Sequence, residues 1–273
     1  MARQPPDLAV QRPGAGPFTA RTPRVVAARR LLRRRYRDET GRFLVEGPQA
    51  VREALAAAAV EEVFATLAAT RRHPELTRGA SIVTDDAVAV LAETVTPQGL
   101  VAVCAARDVP LDTALARRPS LVTVLAGIRD PGNAGTVLRT ADAAGSAAVV
   151  FAGDAVDPYN GKCVRASAGS LFHVDLVRVA DPAAVVADLQ AGGYAVLAAD
   201  PYGAADLDEL ADAGELSRPT AWLFGSEAHG LPDALADAAD RRVRVPMYGR
   251  AESLNLAAAA AVCLYASARA LRR

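Results

Sequence analysis

Three stretches of this chain gather polar side chains and glycines where a strand stops and a helix begins. The first is Asp130-Pro131-Gly132-Asn133-Ala134-Gly135-Thr136-Val137-Leu138-Arg139-Thr140-Ala141-Asp142. Its glycines would let backbone N–H groups approach an anion at a helix N-terminus. Asn133 suits the cap of that helix. Arg139, nearly two turns further in, can meet a phosphate with a bidentate fork. A capped helix with a surface ion pair would explain the same residues. The second stretch is Leu223-Phe224-Gly225-Ser226-Glu227-Ala228-His229-Gly230-Leu231. Gly225 permits close approach of backbone to a ligand, Glu227 sets a carboxylate at a strand end, and His229 offers a titratable ring. A loop histidine of this kind is more often a packing or hydrogen-bonding residue than a base. The third stretch, 243–262, runs from a short β-like segment through Pro246 and Gly249 to Ser253, Leu254 and Asn255 at the mouth of a small-residue helix. Leu254 would give an apolar wall and its neighbours polar groups, unless Ser253 merely caps the helix. Open α/β sheets bind ligands at the carboxyl ends of their strands. Three such segments together point to a small-molecule pocket.

The elements that position these segments alternate. Residues 1–23, rich in Pro, Gly and Arg, read as a flexible basic arm. A basic helix is predicted over 24–37, leading a small α/β domain over 24–106. Strands at 43–45, 60–66, 81–83 and 100–105 surround helices at 48–59 and 86–93. Residues 107–119, with Pro110 and Pro119, read as a linker. The domain over 120–273 alternates strands at 121–126, 147–152, 174–179, 194–199, 220–224 and 242–245 with helices at 133–144, 159–168, 182–191, 232–239 and 254–271. That alternation predicts a mostly parallel sheet with helices on both faces.

Composition narrows the classes. The 273 residues are 51% hydrophobic but only 5% aromatic, so the core must be built from Ala, Val and Leu. No apolar run is long enough for a membrane span, and no secretory signal is visible. The expectation is a cytoplasmic protein with no membrane partner. Cys104, Cys163 and Cys263, like His73, His173 and His229, are scattered, which argues against a disulfide framework or a metal site. The formal net charge of zero hides an asymmetry: residues 1–42 hold 11 arginines and three acidic residues. The run Arg29-Arg30-Leu31-Leu32-Arg33-Arg34-Arg35-Tyr36-Arg37 is either a footprint for phosphates or a solvated basic face.

In their order and spacing, the three stretches resemble the three motifs of the SpoU (TrmH) family of RNA 2′-O-ribose methyltransferases. Asp130-Pro131-Gly132-Asn133 with Arg139 matches the first, Gly225-x-Glu227-x-x-Gly230-Leu231 the second, and Pro246-Met247 with Ser253-Leu254-Asn255 the third. Phe43-Leu44-Val45-Glu46-Gly47 and the stretch 157–170 are similar to the family as well. The resemblance implies a deep trefoil knot in the C-terminal domain, a small N-terminal substrate-binding domain, and a homodimer. It implies S-adenosylmethionine as cofactor, with Phe224, Gly225, Val245, Met247, Ser253, Leu254 and Asn255 around it and no metal. It makes Arg139, Ser253, Asn133 and Glu227 the catalytic set. Arg30, Arg33, Arg34, Arg37, Lys162 and Arg165 would grip the RNA, with 23S ribosomal RNA expected ahead of transfer RNA and no DNA. Two other readings compete. One is a catalytically silent RNA-binding protein on the same scaffold. The other is a dinucleotide-dependent oxidoreductase, for which Gly132, Gly135 and Asp154 supply only a broken fingerprint.

Overall fold

A computed structural model describes residues 16–272; residues 1–15, most of the expected arm, and Arg273 lie outside the described residues. The chain divides into two compact units. One holds the residues up to Arg107 together with Tyr159–Phe172, and the other Asp108–Pro158 with the residues from His173 onward. No helix among the described residues is long and apolar enough to cross a membrane.

The first unit opens with α1 (Pro23–Arg29), a 3-10 turn (Arg30–Leu32) and α2 (Arg34–Thr40). The single basic helix expected over 24–37 is therefore broken. The break falls at Arg33, whose backbone is extended (φ −97°, ψ 128°). Val25, Ala28 and Leu31 stay buried, and Arg37 turns inward, where its Nη1 donates to the Leu31 carbonyl at 2.8 Å. A helix end leaves such carbonyls without partners, and the buried guanidinium satisfies this one. Gly41, left-handed at φ 63°, closes α2 as a C-terminal glycine commonly does. Then follow β1 (Arg42–Glu46), α3 (Pro48–Ala56), β2 (Val60–Ala65), α4 (Leu67–Arg72), β3 (Ser81–Ile82), α5 (Asp85–Leu91) and β4 (Leu100–Ala105). The sheet order is β1-β4-β2-β3, with β4 antiparallel to both neighbours and β3 parallel to β2. Phe18 makes a short parallel bridge to Val83, so the described end of the arm is attached to this unit.

The chain continues through α6 (Leu111–Ala116), β5 (Leu121–Ala126), α7 (Pro131–Ala144), β6 (Ala148–Ala152), α8 (Gly161–Ser167), β7 (Asp175–Val179), α9 (Pro182–Ala191), β8 (Ala195–Ala199), β9 (Ala205–Asp206), α10 (Leu207–Asp212), β10 (Thr220–Phe224), α11 (Asp233–Ala238), β11 (Arg241–Arg244) and α12 (Leu256–Ala270). Two domain boundaries differ from the sequence reading. The expected linker contains α6, whose Ala114 is buried in the core of the second unit, and Val109 N–H donates to the Leu176 carbonyl at 2.8 Å. The segment around α8 belongs to the first unit rather than the C-terminal domain. There Phe43 meets the rings of Tyr159 and Phe172, at centroid distances of 4.5 and 6.1 Å.

The seven strands of the second unit lie in the order β7-β6-β5-β10-β8-β11-β9, and every neighbouring pair is parallel. β5, β6 and β10 are buried along their whole length, as strands covered on both faces should be. The sheet grows from β5 through β6 and β7 on one side and through β8 on the other. β10 then enters between β5 and β8, and β11 between β8 and β9. The place next to β5 is thus a topological switch point, where such sheets open a crevice. α12 lies along α7 and against β10. Within that layer Trp222 Nε1 donates to Ser267 Oγ at 2.9 Å, which satisfies both buried groups.

Candidate active site

The three polar stretches leave the carboxyl ends of β5, β10 and β11. Pro131 takes the first turn of α7, and Asp130 is its cap, accepting the Asn133 backbone N–H at 2.7 Å. The cap expected of Asn133 thus falls to Asp130, and the Asn133 amide is spent elsewhere. It donates through Nδ2 to Glu227 Oε1 at 3.1 Å and accepts through Oδ1 from Asn255 Nδ2 at 3.2 Å. Asn255 in turn caps α12, its Oδ1 accepting the Ala257 N–H at 2.9 Å. Glu227 also accepts the backbone N–H groups of Arg129 and Asp130 at 3.4 and 3.3 Å. One continuous chain, Glu227–Asn133–Asn255, therefore ties together residues from all three motifs. Glu227 thus lies beside the N-terminus of α7, where peptide dipoles favour negative charge, and is linked through Asn133 and Asn255 to the cap of α12.

Gly225 follows β10 directly, and its backbone is buried. A side chain there would run into the backbone of Gly230 and Leu231. The residues between close on themselves, with Ser226 N–H to the Gly230 carbonyl at 3.0 Å and the reverse bond at 2.9 Å. The close approach expected of Gly225 is thus to its own loop. Phe224 is fully buried with its ring stacked 6.2 Å from that of Trp222, so its side chain is a core residue beneath the strand end. Val245 is half-buried, and Met247, Ser253, Leu254 and Asn255 are exposed. Ser253 makes no hydrogen bond among the described residues and does not cap α12. Arg139 is exposed on α7, with no ion pair among the described residues. His229 is exposed and uses its backbone N–H toward Ser226 Oγ. Burial pushes the Cys263 thiol up to about 12 and raises that of Cys104, so neither serves as a nucleophile at neutral pH.

The residues expected to bind RNA separate into two groups. Arg30 and Arg33 are exposed, as is their neighbour Arg29; Arg30 lies 5.8 Å from the Tyr36 ring. None of the three has a carboxylate partner among the described residues. Arg34 reaches Asp38 at 3.6 Å, and beside it Arg35 pairs with Glu39 at 2.7 Å, both one helical turn away. Arg37 is corrected outright: it is buried and committed to the Leu31 carbonyl. Arg165 is corrected too, because it pairs with Glu93 at 3.1 Å and Glu46 at 3.5 Å within the first unit. Lys162 is exposed in the first turn of α8. Sequence reasoning passed over Asp130 as a cap, although an Asp followed by Pro at a helix start signals one.

Residues 120–265 match the model of the SpoU rRNA Methylase family. The chain belongs to the SpoU rRNA methylase family. Residues 22–102 match an MRM3-like substrate binding domain. Among SpoU relatives, the 23S rRNA (guanosine(2553)-2′-O)-methyltransferase RlmP of Bacillus subtilis is 35% identical, over 90% of this chain and 96% of its own length. The AdoMet-bound rRNA methyltransferase of Sinorhizobium meliloti superposes with a TM-score of 0.81 at 31% identity, covering 93% of this chain and 97% of that one. The SpoU methyltransferase AviRb of Streptomyces viridochromogenes, in complex with AdoMet, superposes with a TM-score of 0.81 at 30% identity, covering 91% and 98%.

Proposed function

We propose that this chain transfers a methyl group from S-adenosylmethionine to a ribose 2′-hydroxyl of 23S ribosomal RNA. The carrying observation is the Glu227–Asn133–Asn255 chain, which draws all three SpoU motifs to one place at the strand ends. Relatives of nearly full coverage are named for this activity on 23S rRNA or have AdoMet bound.

The residues present fit the cofactor. Residues 245–254 offer backbone N–H and carbonyl groups that bond to no other backbone group among the described residues, beside the exposed Met247 and Leu254. Gly127, left-handed at φ 67°, has nothing within 4 Å of where a side chain would start. Gly225, Val245 and Leu254 would hold the cofactor largely through backbone, with Met247, Ser253 and Asn255 close by. When bound, S-adenosylmethionine supplies a methyl group on a sulfonium that is itself a good leaving group. The protein's task is alignment, which can account for a large share of a barrier reduction.

A guanidinium offers five N–H donors and no acceptor, so Arg139 serves by its fork and not by taking a proton. Its exposed fork anchors the phosphate beside the target ribose. The 2′-hydroxyl donates a hydrogen bond to that phosphate or to the Ser253 hydroxyl, through which its proton passes to water as the methyl group arrives. Asn133 and Glu227 order the loops. The 2′-hydroxyl itself distinguishes RNA from DNA. In the first unit, Arg29, Arg30 and Arg33 hold RNA phosphates.

Three further readings belong to this proposal. β10 and β11 enter between strands that precede or flank them, and α12 packs back on α7, which supports the trefoil knot. α12 presents Ala258, Val262 and Tyr265 to solvent at helical spacing, which supports a homodimer through that face. A ribosomal RNA substrate puts the protein in the cytoplasm. The deciding experiment incubates the protein with methyl-labelled S-adenosylmethionine and 23S rRNA or tRNA. Label at a ribose 2′-oxygen of 23S rRNA is expected. Label on tRNA alone moves the substrate, and no label on either means a silent RNA-binding protein. Arg139→Lys keeps the charge and loses the fork, so its rate should fall at least tenfold, about 1.4 kcal/mol in the barrier. A wild-type rate in that variant would remove the bidentate anchor.

A further inference from the structure

The loop between β11 and α12 is pinned at one point. Among the described residues, 245–254 make a single hydrogen bond to the rest of the protein: Tyr248 Oη donates to Asp208 Oδ2 at 2.7 Å. Burial does not hold this side chain, because the Tyr248 ring is 88% exposed. Only its tip is engaged. The acceptor, by contrast, stands on a built platform. Asp208 lies in the first turn of α10, and its N–H is capped by Asp206 Oδ1 at 3.0 Å. Asp206 pairs with Arg244 at 3.2 Å. Arg244 also donates to the carbonyls of Gly203 and Ala204, at 3.2 and 3.1 Å. β9 is joined to β11 through Val243 and Ala205 and through Arg244 and Asp206. The strand that enters the loop and the helix that receives Tyr248 are therefore one rigid piece, and the loop is the part with freedom.

We infer that Tyr248 is a positioning residue for the cofactor loop: its hydroxyl, fixed on Asp208, preorganises residues 245–254 to receive S-adenosylmethionine. The inference rests on the functional reading above. A loop that must be ordered at the moment of binding lowers affinity by the cost of ordering it. A single fixed point near the middle of this loop shortens each free stretch to a few residues. The Asp208 carboxylate raises the Tyr248 hydroxyl above its ordinary titration range, which keeps it a donor at neutral and mildly alkaline pH.

The test uses the full chain with Tyr248→Phe, Asp208→Ala and Asp208→Asn. Calorimetry measures the dissociation constant for S-adenosylmethionine. Trypsin reports on the loop directly, because Arg250 is its one cleavable residue. Tyr248→Phe and Asp208→Ala should each weaken cofactor binding about five- to tenfold and speed cleavage after Arg250 in the absence of cofactor about threefold or more. Asp208→Asn, whose side-chain oxygen still accepts, should stay within about twofold of wild type. The Tyr248→Phe/Asp208→Ala double variant should be no worse than either single one. Wild-type affinity and cleavage in Tyr248→Phe overturn the inference. So does an Asp208→Asn variant as impaired as Asp208→Ala, since the carboxylate and not the hydroxyl bond would then matter. Wild-type protein that binds no S-adenosylmethionine sinks the functional reading instead, and the cleavage rates still decide whether Tyr248 pins the loop.

Discussion

Glu227 shows what residue types reveal and what they withhold. Its carboxylate at a strand end was legible in the sequence, as were Asn133 and Asn255. The bonds among them were not, because Asn133 and Asn255 are 122 positions apart and only the fold makes them neighbours. Arg37 was hidden for another reason: its partner is local, the Leu31 carbonyl, but only the break in the helix turns this arginine inward while its neighbours stay exposed. The assembled network makes a definite expectation. Glu227→Ala removes the acceptor of one side-chain and two backbone donors. Because the group is exposed, water recovers part of the loss, and about 1 kcal/mol is expected, below the usual range for bonds to a charged group. Differential scanning calorimetry should record a melting temperature lower by about 2–4 °C. Asn133→Ala on top of it should add less than its effect alone, because both act on one chain of bonds. Full additivity would mean that the three motifs are held together by something other than this network.

At the scale of elements, periodicity read the strands well and their partners poorly. Near-continuous apolar runs such as Leu121–Ala126 and Thr220–Phe224, each with one threonine, announce buried parallel strands, whereas the two-residue β9 leaves no pattern to detect. The break at Arg33 has no Gly or Pro to mark it. It exists because Leu31 and Arg37 are both drawn inward, a tertiary demand that local propensity does not carry. The stretch 107–119 looked like a linker for its prolines, yet Pro110 sits at the start of α6, a position that tolerates proline. Loop chemistry is more predictable. Gly225 lies where a Cβ would overlap the Gly230 backbone, and backbone cannot swing aside as a side chain can. Gly225→Ala should therefore cost about 1–3 kcal/mol, the range for overpacking, and should disturb the turn that carries Glu227. Urea unfolding would show a lowered midpoint at unchanged slope. A midpoint equal to wild type would mean that the Ser226–Gly230 turn yields easily and that Gly225 is needed for a ligand instead.

Across the whole molecule, charge is unevenly divided. The basic excess lies in residues 1–42, and much of the described part is internally spent: Arg24 on Glu62, Arg42 on Glu61, Arg34 and Arg35 on their own helix. Arg21, Arg29, Arg30 and Arg33 have no carboxylate partner among the described residues, and the last three lie together in the basic run. Removing the N-terminal segment would be a poor test of their role, since Val25, Ala28 and Leu31 are core residues and their loss would unfold the first unit. Charge removal at the surface is cleaner. Arg29→Gln, Arg30→Gln and Arg33→Gln together leave the buried face intact. If each arginine meets one phosphate, the slope of log affinity for RNA against log salt should flatten by about 2 to 3, at about 0.7–0.9 per contact. The melting temperature should hold near wild type, because these side chains make no ion pair among the described residues. An unchanged slope at unchanged stability would show that the basic run is only a solvated face, and that the RNA is held by residues elsewhere in the chain.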